Sequence, residues 1–286
     1  MKKVYILLLA LATLCACKPQ AEKQVTARFV PERSDDFVFE NNLVAGRFYG
    51  QALEGNPTSP GIDIWVKLPG KLVAEEWYKG YQTESDEYYH HDHGGKDCYK
   101  VAVSLGGGAS APLIDGELRF PATNFRSWDI VEETPEKVAF TLHYPEWEVD
   151  EGVKVSLDKT VTVVPNTYFC DVEDHYTFTG TDSLVVAAGI NLHTAQETVE
   201  RVMCLPDRVA IWEHASDQTY EPEDGMLGVA VLMPEADQTF ITADKTHLVA
   251  CKRIVSGEPV RYSFGSCWSK GNIKTLEDWF LLVSAQ

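Results

Sequence analysis

The chain has 286 residues, of which 44% are hydrophobic, and its 43 acidic residues outnumber 25 basic ones to give a formal net charge of −18. This excess of acidic residues excludes the broad basic surface that a nucleic-acid-binding protein needs, and it disfavours binding to anionic lipid surfaces. A polyanionic ligand would need a local basic pocket to overcome the long-range repulsion.

The first sixteen residues have the pattern of a bacterial secretion signal. Lys2 and Lys3 precede an apolar run from Val4 to Leu14, which is too short to span a bilayer. The run ends in Leu-Cys-Ala-Cys, a pattern typical of lipoprotein cleavage. Residues 1–16 are therefore predicted to be a signal peptide and Cys17 the lipidated N-terminus, with a plain signal peptide cut nearby as the alternative.

The rest of the chain is predicted to be a short tether followed by one domain. Residues 17–28 are polar, and residues 29–286 show no composition shift, internal repeat or low-complexity block that would mark a boundary. The later cysteines are widely spaced without a Cys-x-x-Cys pair, which excludes a zinc finger. The protein is expected to be exported and to contact a membrane only through its lipid, at the periplasmic face or the outer-membrane surface.

Alternation of apolar and polar residues dominates this domain and predicts β-strands. The clearest cases are Lys137–Tyr144, Val153–Thr162 and Phe169–Phe178, in the last of which Asp174 is the one charged residue on the apolar face. Further strands are predicted at 37–40, 43–49, 61–67, 98–105, 184–192, 208–213, 226–233, 247–255 and 259–267. Only Lys274–Ser284 has helical spacing. The pattern favours an all-β, mainly antiparallel sandwich with a short C-terminal helix.

Six segments form an ordered set along the chain: FVFENNLVAGRFYG (37–50), GIDIWVK (61–67), WYKG (77–80), HHDHGGKDCYKVAVSLGGGASAP (90–112), NFRSW (124–128) and GSCWSKG (265–271). Together they resemble domain-of-unknown-function family 4861, whose members are exported proteins of saccharide-degrading Gram-negative bacteria. The run GGKDCYKVAV departs from the family pattern, because it is one residue shorter and has Ala102 where that pattern has glycine.

The resemblance implies a galactose-mutarotase-like β-supersandwich. It also implies a role in carbohydrate breakdown, often near enzymes that handle uronic acids. It implies no particular reaction, because the family has none assigned and a fold alone does not define chemistry.

Three histidines and an aspartate stand together as His90, His91, Asp92 and His93. If this run is extended, His91 and His93 share one face and could chelate a divalent metal with a third ligand from elsewhere. The same groups suit general acid/base chemistry or hydrogen bonds to sugar hydroxyls, because imidazole titrates near neutrality. A polar surface loop closed by the following glycines is the third alternative. We predict catalytic residues here and expect no cofactor, with a divalent metal left open.

Other candidates come from polar and aromatic residues in strands and in the family-like segments. His143 is a further catalytic candidate, since it lies near Glu146 and Glu148 and paired carboxylates suit glycosyl chemistry. His193 with Glu197 is another pair that could supply an acid and a base. Substrate-binding predictions fall on residues suited to bind carboxylates or hydroxyls or to stack on sugar rings, each with a purely structural alternative: Arg47, Asp97, Tyr99, Lys100, Arg126, Trp147, His175, Trp268 and Lys270.

Three functions remain open from the sequence. The favoured one is an exported lipoprotein that acts in polysaccharide breakdown by acid/base chemistry on uronic-acid-containing oligosaccharides, as a lyase, hydrolase or epimerase. A non-catalytic glycan-binding lipoprotein is the alternative, because the chain has seven tryptophans and twelve tyrosines. A structural or interaction lipoprotein would also fit the acidic composition.

Overall fold

The computed structural model describes residues 23–54, 60–193, 201–214 and 224–286. No helix in these ranges is long and apolar enough to cross a membrane. The α-helices are α1 (Ala74–Thr83) and α2 (Leu276–Ser284), and short 3₁₀ helices lie at Gln51–Leu53 and Tyr88–His90. The strands are β1 (Val25–Val30), β2 (Asp36–Asn41), β3 (Ala45–Phe48), β4 (Ile62–Lys67), β5 (Gly95–Asp97), β6 (Gly107–Ile114), β7 (Glu117–Leu118), β8 (Ser127–Thr134), β9 (Lys137–Asp150), β10 (Val153–Val163), β11 (Phe169–Thr179), β12 (Leu184–Asn191), β13 (Val202–Leu205), β14 (Arg208–His214), β15 (Met226–Leu232), β16 (Gln238–Ile241), β17 (His247–Ile254) and β18 (Pro259–Trp268).

The strands form three sheets whose apolar faces meet. The first sheet has the order β1-β2-β3-β4-β5, the large sheet β13-β14-β15-β18-β11-β10-β9-β8, and the third sheet β16-β17-β12-β6-β7. The paired strands are antiparallel, and side chains from all three sheets pack in one hydrophobic cluster. The predicted all-β, mainly antiparallel class with a short C-terminal helix is confirmed.

The predicted boundaries need three corrections. β1 begins at Val25, so the folded part starts inside the stretch 17–28 that was predicted to be a tether. Residues 98–105 form no strand, and β6 begins only at Gly107. α1 was missed although Ala74, Trp77 and Tyr78 give it a buried helical face, because it is short and contains a glycine.

Two charged residues lie on the apolar face of the large sheet and neutralise each other. Lys159 of β10 donates from Nζ to both carboxylate oxygens of Asp174 at 2.8 and 2.6 Å, and both side chains are buried. Ser110 of the third sheet and Tyr262 of β18 also bond this pair. The pairing explains how Asp174 can break the apolar alternation of its strand, since a buried charge needs a partner and further hydrogen bonds.

The outer face of the first sheet is charged yet covered by α1. Glu40 of β2 accepts hydrogen bonds from the backbone N–H groups of Val73 and Ala74 at 2.6 and 2.9 Å, and from Nζ of Lys67 at 2.5 Å. A carboxylate at a helix N-terminus satisfies unpaired N–H groups and complements the helix dipole. This contact holds the start of α1 on the sheet.

A second ion network on the same face has Arg47 at its centre. The guanidinium lies 2.8 Å from Asp63, 2.7 Å from Asp97 and 3.4 Å from Asp36, and its side chain is only 3% exposed. Burial lowers the pKa of Arg47, but the three carboxylates outweigh this and hold it well above its usual value. The ring of Tyr89 lies against the guanidinium at 5.3 Å, which fixes the turn that leads into the histidine run.

We predict that Arg47→Met lowers the free energy of unfolding by about 3–5 kcal/mol or more, because it leaves buried carboxylates without their shared cation. Urea denaturation followed by circular dichroism measures this loss. Arg126→Met is the matched control, since Arg126 pairs with Glu54 at the surface and such pairs contribute about 0–1 kcal/mol. Equal losses of unfolding free energy in the two variants would contradict the prediction that the fold depends on the Arg47 network.

Candidate functional site

One end of the large sheet presents polar groups on its inner face. Glu213 of β14 pairs with Leu227 of β15, and Leu227 pairs with Trp268 of β18. Directly paired residues point to the same side of a sheet, and two strand spacings separate Glu213 from Trp268 by about 10 Å. We call this region the sheet-end site, and its members are Asp92, Lys96, Tyr99, Lys100, His193, Glu213, Asp224, Trp268 and Lys270.

His193 and Glu213 share a proton at this site. His193 Nε2 lies 2.5 Å from the carbonyl oxygen of Lys100, which can only accept, so Nε2 is protonated. His193 Nδ1 lies 2.9 Å from Glu213 Oε1. That contact needs one more proton, which either makes the imidazole cationic or keeps the carboxyl neutral. The pair therefore has one proton between Nδ1 and Oε1, and the two side chains are only 18% and 8% exposed.

Tyr99 and Lys100 hold the His193 ring in place. The ring of Tyr99 meets the imidazole edge-on, with centroids 4.8 Å apart and planes at 77°. The carbonyl oxygen of Lys100 also accepts from the side-chain amide of Asn191 at 3.2 Å. Burial raises the pKa of Tyr99 well above its usual value, and the nearby Glu213 adds to this effect, so the hydroxyl stays protonated. The side chain of Lys100 lies at the surface.

Lys96 and Asp224 form a buried ion pair beside Trp268. Lys96 Nζ donates to Asp224 Oδ2 at 2.7 Å, and both side chains are nearly inaccessible. The indole N–H of Trp268 donates to the backbone carbonyl of Asp224 at 2.6 Å. These bonds join β5, the start of β15 and the end of β18. Trp268 is itself buried, so its ring supports the site rather than presenting an open face to a sugar.

Asp92 and Lys270 form the exposed rim of the site. Lys270 Nζ lies 3.0 Å from Asp92 Oδ2 and 4.7 Å from the centroid of the Trp268 ring. Asp92 Oδ1 accepts from the backbone N–H groups of Gly94 and Gly95 at 3.0 and 3.2 Å. Burial raises the pKa of Asp92, but the Lys270 and glycine hydrogen bonds outweigh it and lower the pKa. Asp92 is thus an ionised carboxylate that forms an ion pair with Lys270 at the surface.

The three histidines of the run point in different directions. His90 closes a 3₁₀ helix and its Nδ1 lies 3.1 Å from the backbone carbonyl of Asp97. His93 stacks on Tyr88 at 3.8 Å, and His91 lies on the surface. The run is not extended, so the shared face predicted for His91 and His93 is not formed. In the described parts of the chain, no group of three or more His, Cys, Asp and Glu side chains has an arrangement suited to a metal ion.

Other predicted site residues lie away from the sheet end. Arg47 and Asp97 belong to the buried network under α1, a placement that argues against direct contact with an oligosaccharide. Arg126 forms a bidentate ion pair with Glu54. Trp147 is buried and its indole N–H donates to the carbonyl of residue 119. The predicted lipidation site, Cys17, and the proposed partner of His193, residue 197, lie outside the described residues.

His143 and His175 lie on the outer face of the large sheet. Asp158 of β10 pairs directly with both, so the three side chains form one row across the strands. His143 lies 2.6 Å from Asp158 and 3.0 Å from Asp129, whereas His175 bonds Glu173 at 2.8 Å. Partial burial lowers the pKa of His143, but the two carboxylates outweigh this and raise it.

The sequence analysis missed Glu213, Lys96 and Asp224. A signal for Glu213 was present, because it follows Val209 and Ile211 at a spacing of two and so falls on the apolar face of its strand. A carboxylate in that position needs a buried partner or a function. No comparable signal marks Asp224, which pairs with a residue 128 positions away.

Comparison with known proteins places the chain in a family and identifies distant structural likenesses. The family model "Domain of unknown function (DUF4861)" matches residues 15–286. Uncharacterized protein P7 of Formosa agariphila is 31% identical over 262 residues, which is 85% of this chain and 62% of that protein. The chain thus spans less than two thirds of the length of this relative.

Three solved structures are similar at low identity. A galactose mutarotase related enzyme from Lactobacillus acidophilus is 10% identical over 81% of this chain and 97% of its own, with a TM-score of 0.33. The 4-alpha-glucanotransferase from Thermococcus litoralis is 7% identical over 85% and 39%, with a TM-score of 0.35. A GalM/aldose epimerase homologue from C. elegans is 11% identical over 86% and 99%, with a TM-score of 0.26. Scores this low support no argument about chemistry.

We predict that His143 makes stability depend on pH. Its pKa is raised in the folded state, so its stabilising contribution is complete below about pH 6.5, the usual histidine value, and is lost as pH rises through the folded pKa. The difference in melting temperature between the protein and a His143→Gln variant should be larger at pH 6 than at pH 9. Differential scanning calorimetry measures it, and a difference that does not change with pH would contradict the prediction.

Proposed function

The chain belongs to the DUF4861 family, and on that premise we propose that it is a carbohydrate-active enzyme that performs acid/base chemistry on an oligosaccharide with acidic groups. The observation that supports this most is the hydrogen bond between His193 Nδ1 and Glu213 Oε1 at 2.9 Å. A positioned pair with one mobile proton is the basic requirement of general acid/base catalysis.

In the proposed reaction, Glu213 is the group that meets the substrate. Its Oε1 bonds His193, which leaves Oε2 to accept a proton from a hydroxyl or from the carbon next to a carboxylate. Starting from a neutral carboxyl, Oε2 takes this proton while the proton on Oε1 moves to Nδ1 and makes the imidazole cationic; the Lys100 carbonyl holds Nε2–H and fixes the ring. The reverse transfer delivers the proton from Oε2 to the departing alkoxide in a lyase, whose C–O bond breaks, or back to carbon in an epimerase. In a hydrolase the proton comes from an attacking water molecule and goes to the departing sugar alkoxide.

The rim of the site suits an anionic group. Lys270 is one-third exposed, and among the residues that the structure describes its ion-pair partner is Asp92, which is itself at the surface. A uronate carboxylate can take the place of Asp92 on this ammonium group. Such a local cation is needed because the whole chain has a charge of −18 and repels anions at long range.

Export and a lipid anchor complete the proposal. The signal-like residues 1–16 and the following Cys17 would place the enzyme at the periplasmic face or the outer-membrane surface, where oligosaccharides from polysaccharide breakdown are available. The folded part begins at Val25, so only a short segment would separate the lipid from the domain.

We predict that Glu213→Gln and His193→Gln each lower turnover by about 10²–10⁴-fold, because each removes one holder of the shared proton. The assay incubates the protein with oligogalacturonate, oligoalginate and glucuronate-containing oligosaccharides, and follows unsaturated uronate absorbance, reducing ends and sugar NMR spectra.

The control for this assay is Glu173→Gln, which alters a glutamate that also bonds a histidine at 2.8 Å but lies on the outer face. It should leave turnover unchanged. Products formed at equal rates by wild type and both site variants would overturn the assignment of the pair. Saturable binding of an oligosaccharide without any product would show that the protein binds glycans and does not catalyse the proposed reaction.

We predict that Cys17→Ser moves the protein from the membrane fraction to the soluble fraction of a Gram-negative host and removes incorporation of labelled palmitate. The domain itself should keep its melting temperature, because the change lies before β1. Unaltered lipid labelling in this variant would show that the anchor is elsewhere or absent.

A further inference from the structure

An open groove lies between two edge strands far from the sheet-end site. β1 is the edge of the first sheet and β8 is the edge of the large sheet among the described strands. The groove between them has a volume of about 740 Å³, and the residues that matter for its chemistry are Arg28, Phe29, Glu75, Trp128, Ile130 and Glu133. Its lining is mainly apolar, with charged groups at the margin.

The floor of the groove is a fixed aromatic platform. Trp128 stacks on Phe29 with centroids 5.8 Å apart and planes at 26°, and its ring also meets Phe37 at 5.6 Å. Phe37 in turn packs on Phe140 in the core at 4.4 Å. The indole is therefore held by ring contacts on its inner side, yet 39% of Trp128 stays exposed. An exposed, immobilised aromatic ring binds flat apolar surfaces at little entropic cost.

The margin of the groove offers charged hydrogen-bonding groups in ion pairs. Arg28 bonds both carboxylate oxygens of Glu75 at 2.6 and 3.2 Å and also lies 2.8 Å from Glu32, and Lys23 bonds Glu133 at 2.9 Å. These pairs provide donors and acceptors for hydroxyl groups and leave no surplus positive charge. A polyanion would find no attraction here, and a purely apolar ligand would meet ionised groups at both walls.

The groove is separate from the site of the proposed reaction. β1 and β5 form opposite edges of the first sheet, so four strand spacings, about 19 Å, separate the groove from Lys96. In the large sheet, β8 lies four strands from β18, which carries Trp268. A sugar ring on Trp128 therefore does not contact the His193–Glu213 pair.

We propose that this groove binds an uncharged pyranose segment of a polysaccharide, with the C–H face of a sugar ring on Trp128 and its hydroxyls on the Arg28–Glu75 and Lys23–Glu133 pairs. The combination fits a sugar because one face of a pyranose is apolar while its periphery carries hydroxyls. This site would retain the protein on a glycan independently of any reaction at the sheet end.

The test is affinity electrophoresis of the full chain in native gels that contain glucan, xylan, mannan or galactan, with polygalacturonate as the charged comparison. At least one neutral polysaccharide should retard the protein. Trp128→Leu keeps apolar contact with Phe29 but removes the stacking ring, and should raise the dissociation constant at least tenfold. Trp128→Phe should retain most of the binding.

Two controls distinguish the groove from other sites. Val131→Ala alters an exposed residue of the same strand that does not line the groove, and should leave retardation unchanged. Glu213→Gln should also leave it unchanged, so that loss of the reaction and loss of the groove can be told apart. Melting temperatures of all variants establish that they are folded.

Four results would overturn the proposal. They are absence of retardation in every neutral gel, equal effects of Trp128→Leu and Val131→Ala, loss of binding in Glu213→Gln, and retardation by the charged polysaccharide alone. Light scattering tests a fifth result. If the protein is a dimer and Trp128→Leu makes it a monomer, the groove is an interface between two copies of this chain and the proposal is overturned.

Discussion

The fold around the site depends on one guanidinium group shared by three carboxylates. Arg47 bonds Asp36, Asp63 and Asp97 on the outer face of the first sheet, and Arg33 is a second cation beside Asp36. Burial and the nearby Asp97 hold the pKa of Asp63 well above its usual value, so this face can be covered although it carries several ionisable side chains. The guanidinium of Arg47 also packs on Tyr89, the residue before the histidine run. Helix α1, the run and β5 are thereby fixed to one sheet, and the loop that follows is placed where Asp92 reaches Lys270.

Exposure separates the charges that maintain the fold from those that can meet a ligand. Lys159 with Asp174, and Lys96 with Asp224, are buried and mutually neutralised. Breaking such pairs leaves an uncompensated charge in a poorly solvated interior, so their first role is structural. At the sheet end, by contrast, His193, Lys270 and Asp92 keep part of their surface in water. The site thus combines a buried ion pair, Lys96 with Asp224, with polar side chains that are partly exposed.

The sequence predicts the strands well because alternation is a local property, as in β9, β10 and β11, whose buried and exposed residues alternate. It predicts the site only in part, because the contacts that build it join distant positions. Asp92 and Lys270 are 178 residues apart, and Arg47 and Asp97 are 50 apart. Residue type made Arg47 a plausible sugar ligand, whereas only the three-dimensional arrangement shows that carboxylates already surround it.

Ala102 has a φ of 49°, in the left-handed region that favours glycine. A side chain there costs about 1 kcal/mol that glycine would avoid. Alanine also removes conformations that a glycine would sample in the unfolded chain, so the loop before β6 has fewer alternatives to its folded shape. The neighbouring carbonyl of Lys100 orients the imidazole of His193. The protein therefore tolerates local strain only two residues after the carbonyl oxygen that orients its histidine, so the cost of one backbone conformation is paired with a fixed direction for the imidazole.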